Sequence, residues 1–453
     1  MDDTQRRLLE SCKRHPEDRT MFQVLANYLE EHGDPRSELI RLEVGLADLD
    51  DDDPEYQQLT DRQEELIARH QDRWEGPLLD LECQVVHSEG FVHVISARAE
   101  VLLGEQGCRL LDWPGWLWVD SLLLRGPAAA ESWQSPLLAS LSSLTLKEGE
   151  IGDVGAQTLA NSPCLANLTE LDLECNQIGD AGAQALGASP YLANLTGLNL
   201  ESNSFFASLP GANTSGNWIG DVGTEALARS PYLSKLTWLD LEGNRIGDAG
   251  AQALAGSLFL PNLKMLNLRF NQIGDVGAQA FAILPRFPRL NSINGLDLYG
   301  NRIGPIGAQA LVCSPNLPSI CMGFNPIGDD GVELLAASPN LASLEWLDLR
   351  ESQLTVAGAQ ALANCPHLVN LDHLMLEFNQ IGDAGAMALG TSPYLARLTS
   401  IRLRGTQISE AGACALLQSP YLPNLTSLTL QHNPISEVEA QRLRTQFGDR
   451  IDV

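Results

Sequence analysis

The chain has 453 residues, 44% of them hydrophobic, and carries a formal net charge of −29, with a pI near 4.5. So acidic a surface argues against nucleic-acid binding, because phosphate contacts need a basic face; it suits either a basic protein partner or solubility of a large elongated body. Nine cysteines, an odd number without a dense framework, fit reduced thiols in a cytoplasmic protein better than a disulfide scaffold. No apolar run reaches membrane-spanning length, and the start, MDDTQRRLLESCKRHPED, does not read as a signal peptide.

Residues 1–75 read as a small helical domain. Leu8, Leu9 and Cys12, then Met21, Phe22, Leu25, Tyr28 and Leu29, follow helical spacing. Gly33 is a stop signal. Asp34 and Pro35 read as the cap and first residue of a helix carrying Leu39, Ile40, Leu42 and Val44. Asp50 to Asp53 make an acidic break, and Pro54 opens a further helix through Leu66 and Trp74. The string VLANYLEEHGDPRSELIRLE, Val24 to Glu43, resembles the repeat-companion domain at the N-terminus of repeat proteins in planctomycete-like bacteria, departing from it at Tyr28, where Trp is expected. That resemblance implies a partner domain for repeats and a bacterial origin; it carries no chemistry.

Residues 76–140 read as an irregular flank and a degenerate first repeat. Phe91, Val92, Val94 and Ile95 predict a strand. Ala97 to Leu111 predicts a helix with Ala99, Leu102 and Leu103 inward. Val119, Leu122 and Leu124 fit a strand of the repeats that follow. Irregularity is expected of a terminal unit, one face of which meets water.

From residue 141 to 453 one phrase recurs: LTELDLECNQIGDAGAQALGAS from Leu168, LTWLDLEGNRIGDAGAQALAGS from Leu236 and LDHLMLEFNQIGDAGAMALGTS from Leu371. Asn244 and Asn271 stand 27 residues apart. About eleven units start at Leu141, Leu168, Leu195, Leu236, Leu263, Ile293, Leu317, Leu344, Leu371, Leu398 and Leu425. In the unit from Leu168, apolar residues bracket a short strand, Asn176 marks the exit, and Ile178 returns to the core. The next column, Gly179, Gly247, Gly274, Thr355, Ser409 and Ser436, holds N-cap residue types. The column after it, Asp180, Asp248, Asp275, Pro305, Glu410 and Glu437, suits a first helical turn. The frame L-x-x-L-x-L-x-x-N-x-I resembles leucine-rich repeats of the ribonuclease-inhibitor type. The resemblance implies an α/β fold: a curved solenoid with a parallel sheet inside and helices outside. The third unit carries an insertion, residues 204–216, that leaves both Asn203 and Asn217 eligible as its turn asparagine. Its Phe205 and Phe206 would either anchor a partner or fold back on the solenoid.

Catalytic signatures for P-loops, zinc proteases, serine hydrolases and dithiol redox sites are missing, and the histidines are scattered, His367 and His373 falling in different columns. The reading is therefore a non-enzyme with no cofactor and no metal. What is left is the sheet face between the leucines: Glu170, Asp172, Glu174, Trp238, Asp240 and Glu242 early, Arg269, Tyr299 and Trp346 in the middle, Arg350, Arg402 and Arg404 late. Trp, Tyr and Arg dominate interface hot spots, so this concave face is read as a protein-binding surface. Trp238, Tyr299 and Trp346 would be its anchors, and the charges would set register. A solvated polar face, with the Asp column part of the repeat consensus, is the plainer alternative. A regulator of an enzyme, an inhibitor or a GTPase-activating protein resembling the Ran activator, would use the same face. An effector enzyme with a repeat front end would need a separate catalytic domain, for which the sequence offers no candidate.

Overall fold

The alternation in the repeat frame becomes structure directly. Leu168, Leu171 and Leu173 in one unit, and Leu263, Leu266 and Leu268 in another, are fully buried, because a strand sends alternate side chains to opposite faces. The computed structural model describes residues 2–15, 18–47, 49–50, 52–81, 83–88, 91–147, 149–202, 216–283, 295–313 and 320–453. Phe205 and Phe206 lie outside the described residues. The chain forms two units, one of Met1–Asn203, Asn213–Asn217 and Pro231–Lys235, the other of Ser204–Ala212, Trp218–Ser230 and Leu236–Val453.

The first unit opens with α1 (Asp3–Arg14), α2 (Arg19–Glu31), α3 (Arg36–Leu46) and α4 (Pro54–Glu75). Asp2, Asp18 and Asp53 cap three of them by accepting backbone N–H groups. Asp34 accepts the Arg36 N–H at 3.0 Å, but helical geometry starts at Arg36, one residue after the Asp-Pro reading placed it. Then come β1 (Gln84–Ser88), β2 (Phe91–Arg98), α5 (Ala99–Leu102), β3 (Val119–Arg125), β4 (Ser143–Lys147), α6 (Gly152–Ala160), β5 (Glu170–Asp172), α7 (Asp180–Gly187) and β6 (Gly197–Asn199). β1 and β2 are antiparallel; from β2 to β6 the neighbours are parallel and in chain order.

The helix expected over Ala97–Leu111 is only the four residues of α5, followed by a 3-10 turn at Gly107–Asp112. The chain folds back too tightly for a longer helix: a Cβ on Gly107 would stand 1.7 Å from the Leu102 carbonyl oxygen, and one on Gly104 2.2 Å from that of Glu100.

The N-terminal helices share a core with the flank. Leu9, Cys12, Phe22, Leu25, Ala26, Leu29 and Ile40 pack with Phe91 of β2 and with Trp118. Arg36, 5% exposed, places its guanidinium 4.2 Å from the Trp118 ring and 5.4 Å from that of Trp74, with Asp34 at 3.6 Å. Burial lowers its pKa to about 10. Lys13 donates to the carbonyls of Val119 and Ser140 at 2.6 and 2.8 Å.

The second unit alternates helix and strand: α8 (Asp221–Ala228), β7 (Trp238–Asp240), α9 (Asp248–Ala255), β8 (Met265–Asn267), α10 (Asp275–Ile283), β9 (Leu296–Asp297), α11 (Pro305–Val312), β10 (Ile320–Cys321), α12 (Gly328–Ala336), β11 (Trp346–Asp348), α13 (Val356–Ala363), β12 (His373–Met375), α14 (Gly382–Gly390), β13 (Ser400–Arg402), α15 (Glu410–Leu417), β14 (Ser427–Thr429), α16 (Glu437–Phe447) and β15 (Ile451–Asp452). All of these strands run parallel in chain order. The polar last helix α16 starts on a capping box of Ser436 and Glu439. The short strand β15 that follows it, pairing with β14, is not foreseen by the repeat frame.

Two polar ladders tie repeat to repeat. Leaving a strand strands backbone groups inside the core, where each needs a partner. Asn271, 6% exposed, accepts the Ile246 N–H at 3.0 Å and donates to the carbonyls of Leu241, Leu268 and Arg269 at 2.9, 3.2 and 3.1 Å. Asn301, Asn325 and Asn379 repeat this arrangement. In the unit with the insertion it is Asn217 that takes this place, bonding Leu173 and Leu200 carbonyls and the N–H groups of Asn176 and Ile178.

The second ladder is the acidic helix-start column. Asp248 accepts the N–H groups of Gly274 and Gly277 in the next repeat, both at 2.8 Å. Asp153, Asp221, Asp275, Asp329 and Asp383 do the same one repeat onward. Where the column holds Pro305 or Val356 instead, the following helix starts one residue earlier, on Gly328 or Gly382 with left-handed φ of 65° and 59°. Asp248→Ala strands two N–H groups, and a loss of about 2–3 kcal/mol is expected in urea denaturation. Asp330→Ala, at an exposed position of α12, should stay within about 0.5 kcal/mol of wild type.

Candidate functional site

Each repeat presents outward positions on its strand and just past it, and the parallel register stacks those of the strands into columns. In the first unit Glu170 stands beside Ser143 and Gly197, and Asp172 beside Thr145 and Asn199. Glu170 is exposed and Glu174 half-buried, with the Lys147 ammonium 4.0 Å from its carboxylate.

In the second unit one column runs Asp240, Asn267, Asp297, Cys321, Asp348, Met375, Arg402 and Thr429. Its acids have a backbone task. Asp172, Asp240, Asp297 and Asp348 each accept the N–H two residues on, at 2.9–3.1 Å, closing the strand exit. Burial pushes the carboxyls of Asp172 and Asp297 up. Asn267 also donates to Asp240 and Glu242, at 2.9 and 3.0 Å.

The middle of this face is an aromatic–guanidinium cluster. Arg269 lies 4.6 Å and Arg350 5.0 Å from the Tyr299 ring, whose centroid is 4.7 Å from that of Phe324 and 5.4 Å from that of Phe270. Arg350 makes two hydrogen bonds to Asp348, at 2.9 and 2.6 Å, which hold it protonated. Arg269 sits 3.5 Å from both Glu242 and Asp297. Tyr299 is consequently only 6% exposed and its pKa is pushed up to about 12 by burial: its ring is offered to its own arginines. Burial also raises the Cys321 thiol to about 12, so it is no thiolate nucleophile at neutral pH.

Trp238 and Trp346 are half-buried on the same face. Trp238 stands in register with Met265, 43% exposed. Trp346 stacks on His373, centroids 4.7 Å apart and planes 13° off parallel. At the far end Arg402 and Arg404 are exposed, with no carboxylate in ion-pair range among the described residues; Arg404 lies 5.6 Å from the Phe378 ring and 2.5 Å from the His432 ring nitrogen.

Sequence reasoning missed one column of this surface. The residue before the turn position is left-handed along the repeats: Gly243, Phe270, Gly300, Phe324, Glu351, Phe378, Gly405 and His432 have φ of 47–73°. Phenylalanine rarely adopts such φ. The Phe270 ring fills the space over Gly300, where a Cβ would stand 2.4 Å from it, and Phe378 does the same over Gly405 at 2.8 Å. The signal available was Phe-Asn recurring where other units carry Gly-Asn.

Among the described residues no group of three His, Cys, Asp or Glu could hold a metal, and no helix is long and apolar enough to cross a membrane.

The family model described as Leucine Rich repeat matches residues 164–187, 232–255, 259–282, 314–336 and 367–390. These five segments are leucine-rich repeats. The fold is an α/β leucine-rich-repeat solenoid with a helical N-terminal segment. Comparison with curated proteins finds no match. Among solved structures the leucine-rich-repeat chain is similar to an internalin of Listeria monocytogenes, with 23% identity and a TM-score of 0.45 over 83% of this chain and 93% of that one. It is similar to a leucine-rich-repeat protein of Leptospira interrogans, at 19% and 0.39 over 75% and 91%, and to a TDR receptor, at 17% and 0.40 over 77% and 63%.

Glu377 is a further acid of this face whose carboxyl burial pushes up. Glu377 is 7% exposed with its Oε2 unpartnered, and burial raises its pKa against the pull of Arg350 and Arg402. A folded pKa above the unfolded one means the folded chain binds this proton more tightly. Its contribution to folding therefore grows as pH falls from the raised native value to the ordinary one, and is lost as pH rises back through that window. Glu377→Gln removes the dependence: paired urea midpoints should shift in favour of wild type as the pH is lowered across that window, and parallel profiles would contradict the assignment.

Proposed function

We propose that the outward sheet face of the second unit is a protein-binding surface and that the protein acts as a non-catalytic interaction scaffold. Leucine-rich-repeat proteins generally mediate protein–protein interaction, and the strand face is the surface such solenoids offer. The observation that carries the reading is the clamped cluster of Arg269, Tyr299 and Arg350 between two half-exposed tryptophans, Trp238 and Trp346. Nothing in the core requires these large side chains on the outer side of the strands. Held rigid by their neighbours, they lose little side-chain entropy on binding. Trp238 and Trp346 are the anchors; Glu242 and the exposed Arg402 and Arg404 supply opposite charges at the two ends. All nine cysteines are free thiols, which supports a cytoplasmic setting. The repeats are read as ribonuclease-inhibitor type, the N-terminal helices as a repeat-companion segment.

A photo-crosslinking residue placed at Ser400, on this face beside His373, tests the reading in living cells of the source organism. A discrete adduct from Ser400 and none from Val276, exposed on α10, is expected; an adduct from Val276 alone would sink it.

A further inference from the structure

The first unit holds a groove of about 460 Å³ that the repeat face does not use. It is lined by α1 on one side and, on the other, by 111–117 and the turn at Pro136–Ser142. That volume is in the range of small-molecule sites. Its walls are apolar: Leu9, Leu111, Trp113, Pro114 and Leu117, of which Leu111 is 48% exposed. Three of its charged lining residues, Arg6, Glu10 and Asp112, are exposed, and Arg6 and Glu10 lie 3.9 Å apart as an ion pair.

The fourth is different. Lys13 reaches inward from α1, and its ammonium bonds two neutral carbonyls, those of Val119 and Ser140. An ammonium has three donors; beyond the two carbonyls this one has only the Phe91 ring, 5.6 Å away, and among the described residues no third hydrogen-bond acceptor and no carboxylate in ion-pair range. The charged groups that act on it are Asp120 from β3 and Glu10 from its own helix. The Ser140 Oγ, in the same lining, is buried without a hydrogen-bond partner. A cation drawn out of water is normally matched by an anion. In a chain of net charge −29, this site keeps a desolvated positive charge at the side of an apolar groove.

We propose that this groove binds an amphipathic carboxylate, its acid group on Lys13 and Ser140 and its apolar body along Leu111, Trp113 and Leu117. The proposal is independent of the repeat face. Burial lowers the Lys13 pKa to about 8, so in the free protein the ammonium is easily lost above that pH.

Calorimetric titration of the full chain with decanoate and with decanol, its uncharged counterpart, tests this. Saturable one-site binding of decanoate is expected, tighter than decanol by roughly tenfold or more, the worth of one charge-assisted hydrogen bond. Lys13→Met and Leu111→Asp should each weaken it by a similar factor. Leu111 is exposed, so Leu111→Asp keeps the test valid if Lys13→Met fails to fold. Equal affinity for decanoate and decanol, binding unaffected by Leu111→Asp, or no saturable decanoate binding would each overturn the proposal.

Discussion

Replacing Asn271 by alanine is expected to cost about 3–5 kcal/mol, the loss of several buried hydrogen bonds at about 1–3 kcal/mol for each group left unpaired. The side chain serves one N–H and three carbonyls, drawn from its own repeat and the preceding one. Alanine serves none, and water cannot reach a position 6% exposed. Asn271→Ser should lose roughly half as much. Two natural repeats show what a hydroxyl saves in that column: Ser352 Oγ donates to the Arg350 carbonyl at 3.2 Å, and Thr406 Oγ1 to that of Leu403 at 2.6 Å. Urea denaturation and hydrogen exchange at the Ile246 amide check this. A loss below about 1 kcal/mol for the alanine variant would mean the ladder is dispensable.

Trp118→Ala should be as damaging, about 3–5 kcal/mol for an aromatic removed from a full core. Trp118 is 2% exposed, lies 5.9 Å from the Phe91 ring and carries the buried Arg36 guanidinium on its face. Its loss leaves a cavity and a cation without its platform. Because Leu9, Phe22, Leu25 and Ile40 pack into the same cluster, α1 to α3 should lose exchange protection together with β2 and β3. If those helices keep their protection in the variant, they are held by something other than this shared core.

Much of this was legible from letters alone. The leucine alternation, the asparagine exits and the Ser, Thr and Gly cap column each follow from one repeat's own needs, so one repeat is enough to read them. What was not legible needs the neighbour. The acids at Asp248 and Asp275 suit a helix N-terminus by themselves, and nothing local says that each also holds two N–H groups of the next repeat. The substitutions Pro305 and Val356, each followed by a left-handed glycine, carried that information across repeats. Ala97–Leu111 has helical spacing, but Gly104 and Gly107 bring backbone against backbone and end the helix.

The candidate face divides in the same way. Strand alternation indicates which side chains point outward, not which remain accessible. Tyr299 points outward and is covered by Arg269 and Arg350, whereas Phe378, outside the alternation, is 46% exposed. The Asp column, readable from the letters either as charged surface or as repeat consensus, is a set of strand-exit caps.

The most direct measurement compares proteins retained from the organism's own extract by three immobilised chains: wild type, Trp238→Ala with Trp346→Ala, and Val276→Ser with Ile306→Ser on the helix side. Loss of the specifically retained species with the tryptophan pair, and their full retention with the helix-side pair, is the result predicted here. Unchanged retention by the tryptophan variant would contradict a binding role for the sheet face.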